Sequence, residues 1–171
     1  TMFLADAYRF TKSKDIKEKL EGLCRAMIKN QEPSGGWAHE PDRGKPRQYV
    51  ELNAITNFCL IGLGICKQLN LNIDEARAEK GIKYLIKSIG PAGGIYYSAE
   101  PFWTAEECPA RTGGSICAFA LLNKKNDAQF KRMVSFLDTE MPHIFTKEGY
   151  IYESPSMGIF GCALGAINSG K

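Results

Sequence analysis

The sequence predicts an all-α domain built from three helical hairpins. Two observations support this prediction: apolar residues recur at helical spacing along most of the chain, and one order of segments occurs three times. In each occurrence an amphipathic helix is followed by a loop that contains glycine and then by a helix that is apolar on nearly every side. The repeats cover about residues 14–70, 71–124 and 125–169. We expect them to form a single domain over residues 1–171.

The first helix of each repeat is predicted from its apolar spacing and its start signal. Apolar residues at i, i+3, i+4 and i+7 spacing define the first of these helices: Ile16, Leu20, Leu23, Cys24, Met27 and Ile28. Asp74 is placed to cap the second, which we expect to end near Ile89, and Asp127 begins the third. These amphipathic helices are expected on the outside of the domain.

The second helix of each repeat is predicted to be buried. Its segments run over about Tyr49–Leu69, Gly113–Leu122 and Met157–Ile167, and each is rich in small and apolar residues. Glycine costs about 1 kcal/mol relative to alanine inside a helix, so its frequency here indicates close helix packing. The glycines concerned are Gly62, Gly64, Gly113, Gly114, Gly158, Gly161 and Gly165. Three inner and three outer helices imply two layers.

Composition excludes several classes of protein. The chain has 171 residues, of which 44% are hydrophobic and 24% charged, as in ordinary globular domains. The net charge of +3 is too small and too evenly spread to predict a nucleic-acid partner or a polybasic membrane site. No apolar run approaches the roughly 18 to 20 residues that span a bilayer, so no transmembrane segment is expected.

Six cysteines occur without a Cys-x-x-Cys pair, which excludes a zinc ribbon and a thioredoxin motif. Five of them lie within apolar helical patterns and are expected to be buried as small hydrophobic residues. Cys108 is the exception because it lies in the predicted loop that also contains Glu106 and Glu107. A nucleophilic thiol is one hypothesis for it, although no histidine is near it in sequence.

The loops carry a motif that can be traced through the repeats. The first loop has Gln31, Gly35 and Trp37 in the pattern Gln-x-x-x-Gly-x-Trp, and the second has Gly93 and Ile95 where Gly-x-Trp would stand. A third, degenerate version contains Glu148-Gly149-Tyr150. A glycine pair allows a sharp turn at the end of the outer helix, and we expect the aromatic residue to pack back onto the helix it follows.

This motif resembles the glutamine-tryptophan repeat of terpenoid cyclases. Lys80-Gly81-Ile82-Lys83-Tyr84-Leu85 is similar to the basic, glycine, aromatic and aliphatic start of that repeat. The resemblance covers about residues 16–168 and implies an α/α toroid-like array, the fold that these cyclases share with protein prenyltransferase β subunits and the complement thioester-containing domain.

The residues that these relatives use for chemistry are missing from the chain. It has no Asp-rich acid motif of the cyclases and no Gly-Cys-Gly-Glu-Gln thioester motif. The prenyltransferases hold zinc with Asp, Cys and His, whereas the histidines here are His39 and His143. We therefore predict neither a metal nor a cofactor, and the motif itself is a structural signal.

Three hairpins are half of the roughly six that close the toroids the chain resembles. Such a half ring would expose an apolar edge, which marks an interface. Residues 1–10 read like the end of a preceding helix and show no signal peptide. We expect an excerpt of a longer chain whose other domains cover the edge; a homodimer is the alternative.

The loops and the N-termini of the inner helices should meet at one end of the array, which is the predicted mouth of a binding site. Its second loop, about residues 96–111, interleaves aromatic residues with carboxylates, a composition that suits a carbohydrate or another polar, ring-bearing ligand. The aromatic residues could equally cover the ends of the inner helix. Glu106, Glu107 and Arg111 could also cap the helix that begins near Thr112. The predicted ligand-binding residues are Trp37, Asp42, Arg43, Tyr97, Trp103, Cys108, Arg111 and Glu153.

Two classes of function remain open. The first, which the missing catalytic motifs favour, is a non-catalytic module that binds a glycan, a peptide or a neighbouring domain at the loop end of its inner helices. The alternative is a toroid lyase, hydrolase or cyclase acting on a glycan or an isoprenoid. Glu106 or Glu107 would then be its acid or base, His39 or His143 the partner, and Arg111 would hold an anion.

Overall fold

Seven α-helices make up most of the part of the chain that the computed structural model describes, residues 1–40, 50–100, 106–143 and 155–170. In chain order they are α1 (Met2–Thr11), α2 (Lys14–Lys29), α3 (Asn53–Gln68), α4 (Glu75–Lys87), α5 (Pro109–Leu121), α6 (Ala128–Glu140) and α7 (Pro155–Ser169). A short 3₁₀ helix over Met141–His143 follows α6. The all-α prediction is confirmed.

The outer helices α4 and α6 begin at the predicted aspartates. The Asp74 carboxylate accepts a hydrogen bond from the Arg77 N–H at 3.0 Å, and that of Asp127 accepts from the Gln129 N–H at 2.8 Å. Each cap satisfies an amide that has no partner within its helix and stabilises the helix by about 1 kcal/mol.

The inner helices α3 and α5 end in the same way. Asn70 and Asn123 adopt positive φ angles of 57° and 63°, and the N–H of the next residue reaches back to the helix, from Leu71 to Cys66 O and from Lys124 to Phe119 O. This is the Schellman arrangement, in which an asparagine or glycine in the left-handed conformation stops the helix. The two repeats therefore match at the C-terminal ends of their inner helices.

The helices pack as two layers. The inner helices contact one another in chain order, α3 with α5 and α5 with α7, and each outer helix packs against them. Burial follows this division: twelve residues of α5 are buried but only two, Leu20 and Cys24, in α2. α1 contacts α2 and α3.

Glycines allow the close contact between α5 and α7. A Cβ on Gly161 would overlap the carbonyl oxygen of Ala110, and one on Gly165 would lie 2.6 Å from Gly113 Cα. The prediction that glycines mark close packing of the inner helices is confirmed at these positions.

Two inner helices begin at residues that differ from those predicted. α3 begins at Asn53 rather than near Tyr49, because Leu52 is extended and its N–H donates to Trp37 O at 2.9 Å. α5 begins at Pro109, a turn before Gly113, so Arg111 belongs to this helix rather than to the loop. Proline at the first helical position is itself a start signal.

Candidate functional site

The first two glycine loops make the same backbone contacts. Gly35 has a φ of +104° and its N–H donates to Glu32 O at 2.9 Å; Gly93 has a φ of +105° and donates to Gly90 O at 3.1 Å. Glycine adopts such angles without strain. The first turn lies directly on the following outer helix, because a Cβ on Gly35 would be 2.5 Å from the carbonyl oxygen of Lys80 in α4. The turns therefore join each hairpin to the next.

The second glycine of each pair faces an aromatic ring of that following helix. A Cβ on Gly36 would lie 2.8 Å from the ring of Tyr84 in α4, and one on Gly94 would lie 2.6 Å from the ring of Phe136 in α6. Both rings come from corresponding positions of the two outer helices. The period predicted from the glycines is thus repeated in the contacts between side chains and backbone.

Trp37 lies in the core. It is 3% exposed, and its indole N–H donates to the carbonyl oxygen of Met27 in α2 at 2.8 Å. On α4, Gly81 leaves room for the indole, since a Cβ there would be 3.0 Å from it. The expectation that this aromatic packs back onto the helix it follows is confirmed. A direct contact between Trp37 and a ligand would require the core to open.

Glu107 holds the second glycine turn. Its carboxylate oxygens accept hydrogen bonds from the N–H groups of Ala92, at 2.9 Å, and Gly94. Glu51 has the corresponding place in the first repeat and accepts a hydrogen bond from the Ser34 hydroxyl at 2.8 Å. Both carboxylates therefore fasten a glycine turn to the start of an inner helix, and Glu107 caps this turn rather than α5.

Tyr84 of α4 links Glu51, which precedes α3, to the second loop. Its hydroxyl donates to the carbonyl oxygen of Glu51 at 2.9 Å and accepts from the Ala99 N–H at 3.3 Å. Burial raises the pKa of the Tyr84 hydroxyl above its usual value, which keeps the donor protonated.

A threonine in each of the inner helices α3 and α5 binds the residue that follows the glycine pair. Thr56 accepts from the N–H of Trp37 at 3.0 Å, and Thr112 accepts from the N–H of Ile95 at 2.9 Å. Cys108 lies beside this contact, donates its own N–H to Ile95 O, and is 2% exposed. Its thiol therefore lies in the core, whereas a nucleophilic thiol has to be accessible to a substrate.

Arg111 fastens the second loop to α5. Its Nε donates to Ile95 O at 3.3 Å and its Nη2 donates to Glu106 O at 3.1 Å. The guanidinium carbon lies 5.5 Å from the centroid of the Tyr97 ring, within the range of a cation–π contact. The sequence predicts that Arg111 holds an anion. In the structure Arg111 is 3% exposed, its guanidinium donates to backbone carbonyls, and it covers one face of the Tyr97 ring.

Glu106 and His39 have exposed side chains on the second and first loops. The structure brings Glu106 together with Glu107, Cys108 and Arg111 at the start of α5. The other predicted site residues, Asp42, Arg43, Trp103 and Glu153, lie outside the described part of the chain, as does the third glycine loop.

Two buried asparagines of α3 bind the neighbouring repeat. Asn53 Nδ2 donates to Tyr96 O at 2.7 Å, and Asn57 Nδ2 donates to Arg111 O at 2.8 Å. Asn57 Oδ1 also accepts from the Ser115 hydroxyl at 2.8 Å. Asn57 is not among the predicted site residues, although an amide inside an otherwise apolar helix is a signal of a buried polar contact.

A groove crosses one face of the three inner helices near their loop end. Its lining includes the small residues Ala110 and Gly114 of α5, together with Phe58 of α3 and Phe160 of α7. The two phenylalanines are 46% and 40% exposed, and the groove beside them is shallow, with a volume of about 30 Å³ that is partly open to solvent. We call this feature the inner groove. Sequence reasoning missed both phenylalanines because large apolar residues in an apolar helix are indistinguishable from core residues.

The described residues form neither a metal-binding cluster nor a membrane-spanning helix. No group of three or more His, Cys, Asp or Glu residues among them is placed to hold a metal ion. No helix in this part of the chain is long and apolar enough to cross a bilayer.

Comparison with known proteins gives a family and no activity. No curated protein and no solved structure matches the chain. One family model, described as "Domain of unknown function (DUF6288)", matches residues 1–164. Because this match covers nearly the whole sequence, the chain belongs to the DUF6288 family.

Proposed function

We propose that this chain is a non-catalytic binding module whose inner groove takes an apolar side chain from a peptide or a neighbouring domain. The observation that carries the proposal is the groove itself, which is lined by small residues of α5 and by half-exposed Phe58 and Phe160. Large exposed aromatic side chains around a pocket are typical anchors for a polypeptide partner. Because the groove is shallow and partly open to solvent, it suits contact with a side chain of a larger partner better than a small ligand that must be enclosed.

The contacts at the loop end favour binding over acid–base catalysis. The carboxylate of Glu107 accepts hydrogen bonds from two backbone amides, and the guanidinium of Arg111 donates to two carbonyls. Both groups therefore stabilise the loops on which an active site would be built. A catalytic acid or base must reach the proton that it transfers, and the contacts of Glu107 are directed into the turn.

The chemistry of the groove favours an apolar ligand over a glycan. A sugar needs donors and acceptors for its hydroxyls, but both polar atoms of the Asn57 amide are bound to α5. The nearby ring of Tyr97, which could stack on a sugar, has one face covered by Arg111. Phe58 and Phe160 offer apolar surface instead.

The resemblance to α/α toroids remains part of this proposal. Its support is the order of contacts, with inner helices packed in chain order and the first two glycine turns lying on the outer helices that follow them. In such an array the inner groove would face the interior of the ring.

A display library of random peptides, selected on the immobilised chain, tests the proposed function. We expect the selected peptides to share an aromatic or branched apolar residue. Ala54→Trp, which fills the groove from α3, should weaken their binding at least tenfold, whereas Ala26→Trp on the exposed face of α2 should leave it unchanged. Peptides without an apolar anchor, or binding that tolerates Ala54→Trp, would contradict the proposal. Circular dichroism of both variants checks that they fold.

A further inference from the structure

A second cleft lies at the opposite end of the inner helices from the glycine loops. Its lining comes from the last turn of α3, the residues that follow α5 and the first half of α4. It has a volume of about 470 Å³, partly open to solvent, which is within the range of sites that hold small molecules. We call this feature the end cleft. It is enclosed by packed helices within the described part of the chain and is separate from the inner groove.

The end cleft does not follow from the repeat alone. The first two glycine turns lie against Lys80 of α4 and Arg132 of α6, so these two positions correspond. Two residues before them, α4 has Ala78 in the lining of the cleft and α6 has Phe130. Both side chains are buried, at 2% and 4% exposed. A small residue therefore stands in α4 where the next outer helix has a large one, and room for a ligand is left beside it.

Two ion pairs of the described residues border the end cleft. Lys67 Nζ lies 2.8 Å from Glu75 Oε2, and Lys124 Nζ lies 2.7 Å from Glu79 Oε2. The two glutamates are one turn apart on α4, so the lysines from the ends of α3 and α5 meet the same helix. The four side chains are between 26% and 61% exposed. Ion pairs at such exposure contribute little to stability, so their charges can be shared with a bound molecule.

The chemistry of the lining combines both signs of charge with apolar surface. Among the described residues, two ammonium groups and two carboxylates line the cleft together with Ala78, Ile82 and Leu122. A ligand with a single charge would meet a like charge next to its partner, whereas a ligand with one charge of each sign complements the rim. The hydrogen bond from Lys124 to Glu79 raises the pKa of Lys124, so its ammonium group stays charged at neutral pH.

We propose that the end cleft binds a free α-amino acid with an aliphatic side chain, such as leucine. The carboxylate of the ligand binds a lysine ammonium group, its own ammonium group binds a glutamate, and its side chain lies on the apolar residues of the lining. An amino acid carries both charges on one carbon atom next to its side chain, whereas the terminal charges of a peptide are separated by the chain. This inference goes beyond the proposed function and does not depend on the inner groove.

An NMR titration of the isotopically labelled chain with leucine tests the proposal. We expect saturable shifts at the amides of Ala78, Ile82 and Leu122, which line the cleft. Two analogues separate the contributions of the charges: 4-methylpentanoate lacks the ammonium group and 3-methylbutylamine lacks the carboxylate. Each analogue should bind at least tenfold more weakly than leucine, because it leaves one sign of charge at the rim without a partner.

Two alanines provide a blocking variant and its matched control. Ala76 lines the end cleft and is exposed on α4, and Ala128 is exposed at the corresponding position of α6. Ala76→Trp should fill the cleft and weaken leucine binding at least tenfold, whereas Ala128→Trp should leave it unchanged. Circular dichroism checks that both variants fold. The proposal would be overturned by the absence of saturable shifts in the wild-type chain, by equal binding of either analogue, or by leucine binding that Ala76→Trp retains.

Discussion

Gly113 of α5 lies so close to Gly161 of α7 that a Cβ on Gly113 would overlap the carbonyl oxygen of Gly161. We expect Gly113→Ala to destabilise the chain by about 1–3 kcal/mol, because a backbone oxygen in a packed helix cannot move aside as a flexible side chain can. Urea unfolding followed by circular dichroism measures this loss.

Gly22→Ala is the matched control for that prediction. Gly22 lies inside α2, and the atom nearest to the position that a Cβ would take there is a guanidinium nitrogen of Arg25, at 3.9 Å. Helix propensity alone should then raise the free energy of unfolding by up to about 1 kcal/mol. Equal effects of the two substitutions would contradict close packing of α5 on α7.

The glycine turns should tolerate no side chain. Gly35→Ala and Gly93→Ala combine a positive φ with a backbone oxygen 2.5 and 2.8 Å from the new Cβ, so each should cost about 2 kcal/mol or more. Thermal unfolding of the two variants checks this expectation. If either variant were as stable as the wild type, its turn could not lie against the following outer helix.

Glu106 and Glu107 should respond differently to the same substitution. Glu107→Gln replaces one carboxylate oxygen by an amide nitrogen facing a backbone N–H, and should cost about 1–3 kcal/mol. Glu106→Gln, at an exposed position, should change stability by less than about 0.5 kcal/mol. Chemical denaturation of the single variants measures both effects. A stable Glu107→Gln chain would contradict the assignment of Glu107 to the turn.

The raised pKa values of two buried thiols predict that the chain loses stability at high pH. Burial raises the pKa of Cys117 and of Cys162 to about 11, whereas a thiol in the unfolded chain ionises near about 8.5. Between these values the folded chain retains protons that the unfolded chain has lost, so stability is fully present below about pH 8.5 and falls as the pH rises towards about 11.

Urea unfolding at about pH 8 and about pH 10.5 measures this dependence. Cys117→Ala removes one of the two thiols and should make the fall in stability with pH shallower than in the wild type. An identical fall in both chains would show that other groups cause it, since lysines and tyrosines titrate in the same range.

The period of the fold could be predicted because it depends on local backbone geometry. A turn with positive φ requires glycine, so Gly35 and Gly93 mark it in the sequence. The caps at Asp74 and Asp127 are local for the same reason. The start of α3 could not be found in this way, because Leu52 is held extended by Trp37, fifteen residues before it in the chain.

The candidate site was harder to predict because its contacts are distant in sequence. A glutamate beside a loop has the same appearance whether it transfers a proton or, as Glu107 does, accepts hydrogen bonds from a turn more than ten residues away. Phe58 and Phe160 come from different repeats, and their apolar environment gives no sign that both are partly exposed. Only the packing of three helices brings them to one groove.

An NMR titration of the isotopically labelled chain with N-acetyl-phenylalaninamide tests the central claim of binding in the inner groove most directly. We expect shifts confined to residues of the groove, such as Phe58, Gly114 and Leu164, and none with maltotriose as the control. Shifts that instead cluster around Glu106 and His39, or a response to maltotriose alone, would contradict an apolar binding groove and favour a polar site on the loops.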